Sequence, residues 1–457
     1  MEPVKILVPV GSLGAGVRDV ELEYGIRSGA QAIATDAGST DSGAAYLAQG
    51  ISKNSRGSVK RDLSKLMRAA SEARIPLLIG TAGQAGGDKN VDWTVEIVRE
   101  VALELGIAPK VAVLYSEIPI ARMRALREEG RVKALPPLGP LSEETIDECA
   151  HIVALMGPEP YIDALQQGAD IVVGGRTSDT AVISSFGLMH GAAAGPTWHA
   201  AKVAECGAQS TARRRGSGVL ISVDDTGFEI EPLERDNLCT PESVSAHMLY
   251  ENSDPFRLVE PGGILDVTEA VYTQLDERTV RVEGSKWEPR PYTMKLEGAG
   301  GGGFQTIMLI GIQDPDVLER VDYFHDRMLE SLYRRARSTL PEDGGDFHIS
   351  LRMYGWNAVS GDVPPEGTPA PRELGVLFVA TAGTQELATQ VAKACNAYFF
   401  HFPLDPEKEL PSYSFAFTPA DIERGQVYEF KLNHVVEVAE PSELVRTKWV
   451  DLGAAGK

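Results

Sequence analysis

Four times within its first 180 residues, this chain repeats one grammar. A short apolar run ends in a loop of glycines, acids and hydroxyls, and a helical pattern follows. The densest copy is residues 169–182, ADIVVGGRTSDTAV. There Ile171, Val172 and Val173 meet Gly174 and Gly175, and then Arg176, Thr177, Ser178, Asp179 and Thr180. Apolar runs of this kind read as strands buried on both faces, the signature of parallel sheets. Parallel neighbours need crossover connections, which the intervening helical patterns supply.

The pattern predicts strands at 4–10, 32–35, 76–80, 111–115, 151–156 and 169–173. Helices are predicted at 17–28, 59–73, 91–105, 117–129 and 158–167. The expected fold class is α/β, with an N-terminal, mostly parallel βα sheet covered by helices. After residue 215 the character changes. Residues 218–223 and 228–231 read as a hairpin about Asp225, Thr226 and Gly227. From 306 onward the order is strand 306–312, helix 315–338, strands 347–354 and 375–381, helix 385–400 and strand 427–436. That β-α-β-β-α-β order is ferredoxin-like. A chain of 457 residues exceeds one ordinary core. The expected division is 1–215, a parallel α/β domain; 216–305, a mixed α+β connecting region; and 306–457, a ferredoxin-like α+β domain.

The charge restricts partners. With 44 basic and 65 acidic residues, the net charge is −21. That excludes nucleic acid as the expected partner, because phosphate backbones need a basic face. A small anionic metabolite needs only a local positive pocket. No apolar run approaches the roughly 20 residues of a membrane helix, so no membrane association is expected. The chain enters a strand at once, leaving no room for a signal peptide. Four scattered cysteines suit reduced thiols. The expected location is cytoplasmic.

Each loop offers chemistry beside a plainer reading. Residues 11–16, GSLGAG, could cradle a phosphate, with Asp36 about 20 residues on as a ribose-binding acid. The spacing, however, is not G-x-G-x-x-G, and a tight βα turn explains it as well. Residues 35–43, TDAGSTDSG, crowd Asp36, Ser39, Asp41 and Gly43 into one connection. Asp36 or Asp41 could act as a general base or hold a hydrated divalent metal such as Mg²⁺, or such residues could cap turns. Residues 80–90 bring Gly83 and further glycines, for close approach to a ligand or for mobility. At 174–180, Arg176, Ser178, Asp179 and Thr180 meet a helix N-terminus, a setting for a carboxylate or phosphate, or for a helix cap and a structural ion pair. His199, Lys202 and Cys206 share one face of a predicted helix. His199 is a candidate acid and Cys206 reads as a small core residue. Gly300 and Gly301 open a four-glycine run that could form an anion-holding nest or a hinge.

Several phrases together resemble one family: TDAGSTDSG, ADIVVGGRTSDTAV, WHAAKVAECGA, CTPESVSAHMLYENSDPF and YTMKLEGAG. On these, residues 4 to about 312 resemble the acyclic terpene utilisation protein A (AtuA-like) family. The resemblance implies catabolism of acyclic terpenes and of branched or polycarboxylic acyl compounds. It also implies a small ferredoxin-fold AtuA-like subunit as partner, since no substantial domain follows residue 436. It supplies no catalytic residues, so the candidates rest on the reading above. The expected function is a catabolic lyase, of hydratase/dehydratase type, acting on a small carboxylate or its acyl-CoA ester. Arg176 would clamp the substrate, Asp36 or Asp41 would be base, and His199 acid. A metal-assisted hydrolase of an acyl or lactone substrate is the alternative, as is a non-catalytic anion-binding subunit of a two-component complex. A homo-oligomer is expected because exposed sheet edges are often covered by another subunit.

Overall fold

The computed structural model describes residues 2–214, 216, 218–341, 345–405, 407, 410–452, and of Thr40 the backbone alone. The chain forms two compact units, Met1–Gly300 with Glu429–Lys457, and Gly301–Tyr428. The first is built on a ten-stranded sheet. Its order is Val271–Gln274, Val280–Glu283, Gly227–Pro232, Val219–Val223, Val4–Val8, Ala32–Asp36, Leu77–Gly80, Ile171–Gly174, Lys110–Tyr115 and Arg446–Asp451. The five strands from Val4–Val8 to Lys110–Tyr115 are mutually parallel.

The sheet as a whole is mixed, which differs from the mostly parallel expectation. The hairpin of Val219–Val223 and Gly227–Pro232 docks antiparallel on Val4–Val8. The late strand Arg446–Asp451 docks antiparallel on Lys110–Tyr115. Both edges of the parallel centre are thus paired by segments far away in sequence, a placement that local periodicity does not encode. The predicted strand at 151–156 also lies elsewhere. His151–Ala154 pairs antiparallel with residues 296–299.

Alternation sorts the parallel strands onto two cores. Leu7, Ile33, Leu77, Ile79 and Val113 face Leu63, Leu66, Val91 and Val98 of helices Arg56–Ala73 and Asp88–Leu105. Ile6, Ala34, Leu78, Ala112 and Val172 face helices Asp179–Met189 and Ala194–Ala204. Small alanines on that face let Asp179–Met189 lie close, so its apolar residues are buried nearly all round.

In the second unit, strands Phe347–Tyr354 and Leu374–Ala382 pair antiparallel, and residues 304–312 pair with the latter. Helices Val321–Thr339 and Gln385–Asn396 complete a core of Met308, Phe324, Met328, Leu332, Phe378 and Val391. The strand feeding this unit, Thr293–Ile312, is continuous over 20 residues. Gly300 and Gly301, expected in a nest or hinge, therefore lie in extended chain. A Cβ on Gly300 would sit 1.9 Å from the Glu148 carbonyl oxygen, so glycine serves close backbone approach. A Cβ on Gly301 would meet the Gln426 amide at 2.5 Å.

The glycine loop at 11–16 is filled from within. Asp62 of helix Arg56–Ala73 accepts from the N–H groups of Gly14 at 2.8 Å, Gly16 at 3.1 Å and Val17 at 2.9 Å. Its carboxylate occupies the place a phosphate would need. We predict that Asp62→Ala costs about 3 kcal/mol or more in urea unfolding, since charge-assisted hydrogen bonds are worth ~1.5–3 kcal/mol each. Unchanged stability would mean that the loop holds itself, and a dinucleotide cradle would return to consideration.

Candidate active site at the ends of the parallel strands

Three loops leave the carboxyl ends of the parallel strands and lock together backbone to backbone. Ala37 N–H donates to Gly80 O at 2.8 Å. Thr81 and Ala82 N–H donate to Gly175 O and Gly174 O at 3.0 and 2.9 Å, and Arg176 N–H donates to Gly86 O at 3.1 Å. Glycine is required at the closest points. A Cβ on Gly38 would lie 2.2 Å from Gln84 O, and one on Gly86 would lie 2.2 Å from Arg176 N. This is where open α/β sheets place their ligands.

Thr81 is the hub. It is β-branched yet holds φ at 48°, a strained conformation that persists only where surroundings enforce it. Its hydroxyl donates to Thr177 O at 3.0 Å and accepts from Thr177 N–H and Arg176 Nη1, both at 3.2 Å. Gln84, also at positive φ, donates from Nε2 to Ser39 O at 2.7 Å, tying in the 36–43 loop.

Arg176 is buried. Its Nε donates to Glu297 Oε2 at 3.0 Å and its Nη2 to Glu297 Oε1 at 3.4 Å. Nη1 reaches Thr81, the Thr177 carbonyl at 3.2 Å and Asp179 Oδ1 at 3.4 Å. The guanidinium is thus engaged by the protein's own acceptors and does not present an open fork. Burial opposes its charge, but Glu297 and Asp179 outweigh burial and keep it protonated. Burial also works against the Glu297 anion, and Arg176 holds that carboxyl below its ordinary range.

Asp36 ends its strand inside this cluster. It is 5 % exposed, and its Oδ2 accepts from Gly38 N–H at 3.1 Å. Its Oδ1 is buried with no hydrogen-bond partner among the described residues. Burial pushes its carboxyl well above the usual range, the Asp179 charge adds to this, and Arg176 opposes it. Burial likewise raises Asp179. The hydroxyls of Ser178 and Thr180 donate to Glu260, at 2.6 and 2.7 Å, so they position a carboxylate.

At the exposed side of the loop, Ser39 Oγ accepts from Asp41 N–H at 3.1 Å. The neighbouring Glu251 carboxyl lowers Asp41, while burial, and after it Asp41, raises Glu251. Exposed Lys295 stands 3.4 Å from Glu297. Gly43 holds φ at 104° with open space beside it. Gly83, at φ 63°, packs on Asn90, where a Cβ would lie 2.5 Å from Asn90 O. Its contacts close the loop onto its own helix.

His199 stands in a different setting. Its ring contacts Ser285 Oγ at 2.8 Å, Tyr272 OH at 3.1 Å and the edge of Phe228. Burial depresses it to about 3, so it is neutral at pH 7. None of its ring contacts is with the three loops, contrary to the position expected of a site acid. The sequence reading missed Thr81, Glu251, Glu260 and Glu297. For Glu297 a signal existed: Lys295 and Glu297, two apart on a strand, must face one side.

These features define a mixed α/β protein with a buried, strained cluster of acids and one guanidinium at the carboxyl ends of its parallel strands. Residues 56–404 match the family model described as acyclic terpene utilisation family protein AtuA, and the chain belongs to that family. No curated protein and no solved structure matches it. The match includes Thr81, Arg176, Glu260 and Glu297, while Asp36 and Asp41 precede it. No helix among the described residues is long and apolar enough to cross a membrane.

Two outcomes follow from the electrostatics. Glu297→Ala leaves a buried guanidinium without its main partner and should cost about 3–5 kcal/mol in urea unfolding, with the double variant Arg176→Met/Glu297→Leu recovering most of it. A single variant within about 1 kcal/mol of the parent would contradict the pairing. Because Asp36 is raised, the folded state holds a proton that the unfolded state has lost above about pH 3.9. Stability from this group is therefore full at low pH and falls as pH rises through the folded value. Asp36→Asn should flatten that slope in melting temperatures from pH 4 upward.

Proposed function

We propose that the chain is a catabolic enzyme of the hydratase/dehydratase type, acting on a small carboxylate or its acyl-CoA ester. The observation that carries this is Asp36 Oδ1: a buried carboxyl oxygen with no hydrogen-bond partner among the described residues, at the carboxyl end of a parallel strand. A carboxyl raised by burial is matched to proton transfer near neutral pH. In the elimination direction the ionised form of Asp36, reached as pH rises through its raised value, takes the proton α to the carbonyl. The C–H electron pair becomes the C=C bond as the β C–O bond breaks. The hydroxide leaves as water with a proton from an acid, the role we give to the Asp41–Glu251 pair. Lys295, exposed at the rim, is the cation for the substrate carboxylate, and Arg176 holds Glu297 and Asp179 in place behind it.

We extend the reading to assembly. The second unit's β-α-β-β-α-β chain order supports a ferredoxin-like module, and a homo-oligomer with a small ferredoxin-fold companion is part of the proposal. The small anionic metabolite remains the proposed ligand.

The test uses 3-hydroxy acids and 3-hydroxyacyl-CoA esters in deuterated water, with α-proton exchange followed by NMR. The parent should exchange the α-proton and release water. Asp36→Asn, still folded, should lose about 10²–10⁴-fold. Exchange undiminished in Asp36→Asn would overturn the assignment. Turnover kept in that variant but lost on chelation would favour metal-assisted hydrolysis instead.

A further inference from the structure

Behind the loop cluster lies a second group of side chains that the proposed reaction does not use. Helix Ala194–Ala204 ends at Glu205, and Cys206 begins the next short turn. His247 closes helix Pro241–His247, whose start is fixed by a reciprocal cap between Thr240 and Ser243. One ligand atom from each of Glu205, Cys206 and His247 can be chosen so that all lie within 4.8 Å of one another.

We propose that Glu205, Cys206 and His247 form a binding site for one transition-metal ion of the zinc class, with a fourth coordination position left open. A carboxylate, a thiolate and an imidazole are the donors zinc prefers, and three protein ligands plus one open position is the catalytic pattern. Tetrahedral bonds of 2.0–2.3 Å need donor separations of about 3.5 Å, and the donors present lie within 4.8 Å of one another.

A second observation is independent of the spacing. His247 is 5 % exposed, and its Nε2 is buried with no hydrogen-bond partner among the described residues. A buried imidazole nitrogen left unpaired is costly unless something fills its place. The ring is oriented by stacking on Tyr250, with centroids 5.7 Å apart. The first glycine loop packs on the Cys206 backbone and helps fix its place: a Cβ on Gly11 would lie 2.6 Å from the Cys206 carbonyl carbon.

The surroundings favour a cation. Asp179 and Glu260 are in electrostatic reach of Glu205, and Glu251 of Cys206. Lys202 is the cation now paired with Glu205. A metal ion would take over that carboxylate, and Glu260, already in reach of Lys202, can receive the ammonium. Metal binding here does not rest on the reaction assigned to Asp36, and its test reads metal rather than turnover.

The full-length protein is stripped with a chelator and titrated with Co²⁺, then with Zn²⁺. The expected result is one equivalent bound, with a thiolate-to-cobalt charge-transfer absorption that Zn²⁺ removes. Cys206→Ser should abolish that absorption. It and His247→Gln should weaken Zn²⁺ binding by more than the roughly 10–100-fold that loss of an outer-shell partner costs. A readout on the unmodified chain guards against misfolded variants. Cys149, Cys239 and Cys395 are buried while Cys206 is partly open, so Zn²⁺ should protect Cys206 from alkylation, read by peptide mass spectrometry. No charge-transfer band in the parent, equal zinc affinity in Cys206→Ser, or alkylation of Cys206 unaffected by Zn²⁺ would each overturn the proposal.

Discussion

The buried guanidinium of Arg176 is the interaction on which the site depends. It ties Glu297, Asp179, the Thr81 hydroxyl and the Thr177 carbonyl into one network. These groups come from three separate segments, joined where parallel strands end. An ion this deep is expensive to strip of water, and its hydrogen bonds offset that cost. The same network over-determines Thr81, which keeps a β-branched residue at positive φ. Strain and buried charge thus support each other, and both lie beside Asp36.

The charge balance around Arg176 shapes the chemistry. Glu297, Asp179 and Asp36 all act on one guanidinium. Glu297 takes the closest contact and stays ionised, while burial leaves Asp36 and Asp179 reluctant to ionise. Environment separates carboxyls of similar intrinsic acidity into a permanent anion and proton-holding groups, which is how acid and base roles are divided in one pocket. The acid excess continues through Glu260 to Glu205, where Lys202 is the counter-ion.

Much of this was legible in the sequence, for physical reasons. Strands buried on both faces must be apolar throughout, so residues 171–173 and 77–80 declared themselves. Loops following such strands must share a rim, so Asp36 and Arg176 could be expected together. The edges were not legible. Nothing local in residues 446–451 says that they pair with Lys110–Tyr115, some 330 residues earlier. Glycine runs misled for a related reason. Gly300 reads as flexible, yet it is glycine because the Glu148 backbone passes too close for a Cβ. Asp62 misled in the opposite sense: an ordinary helical acid turned out to fill the very loop that resembled a phosphate cradle. His199 was expected to share a helical face with Lys202 and Cys206, but the helix ends at Ala204, before Cys206, and spacing alone could not reveal that Tyr272 and Ser285 hold the His199 ring.

The account stands on Asp36 being a carboxyl that keeps its proton to unusually high pH. Carbon-13 NMR of aspartate-labelled protein, with the Asp36 signal assigned by comparison with Asp36→Asn, measures this group directly. The account predicts a titration midpoint well above the ordinary value of about 3.9. A midpoint at or below that value would make Asp36 a simple structural anion of Arg176 and contradict the central claim.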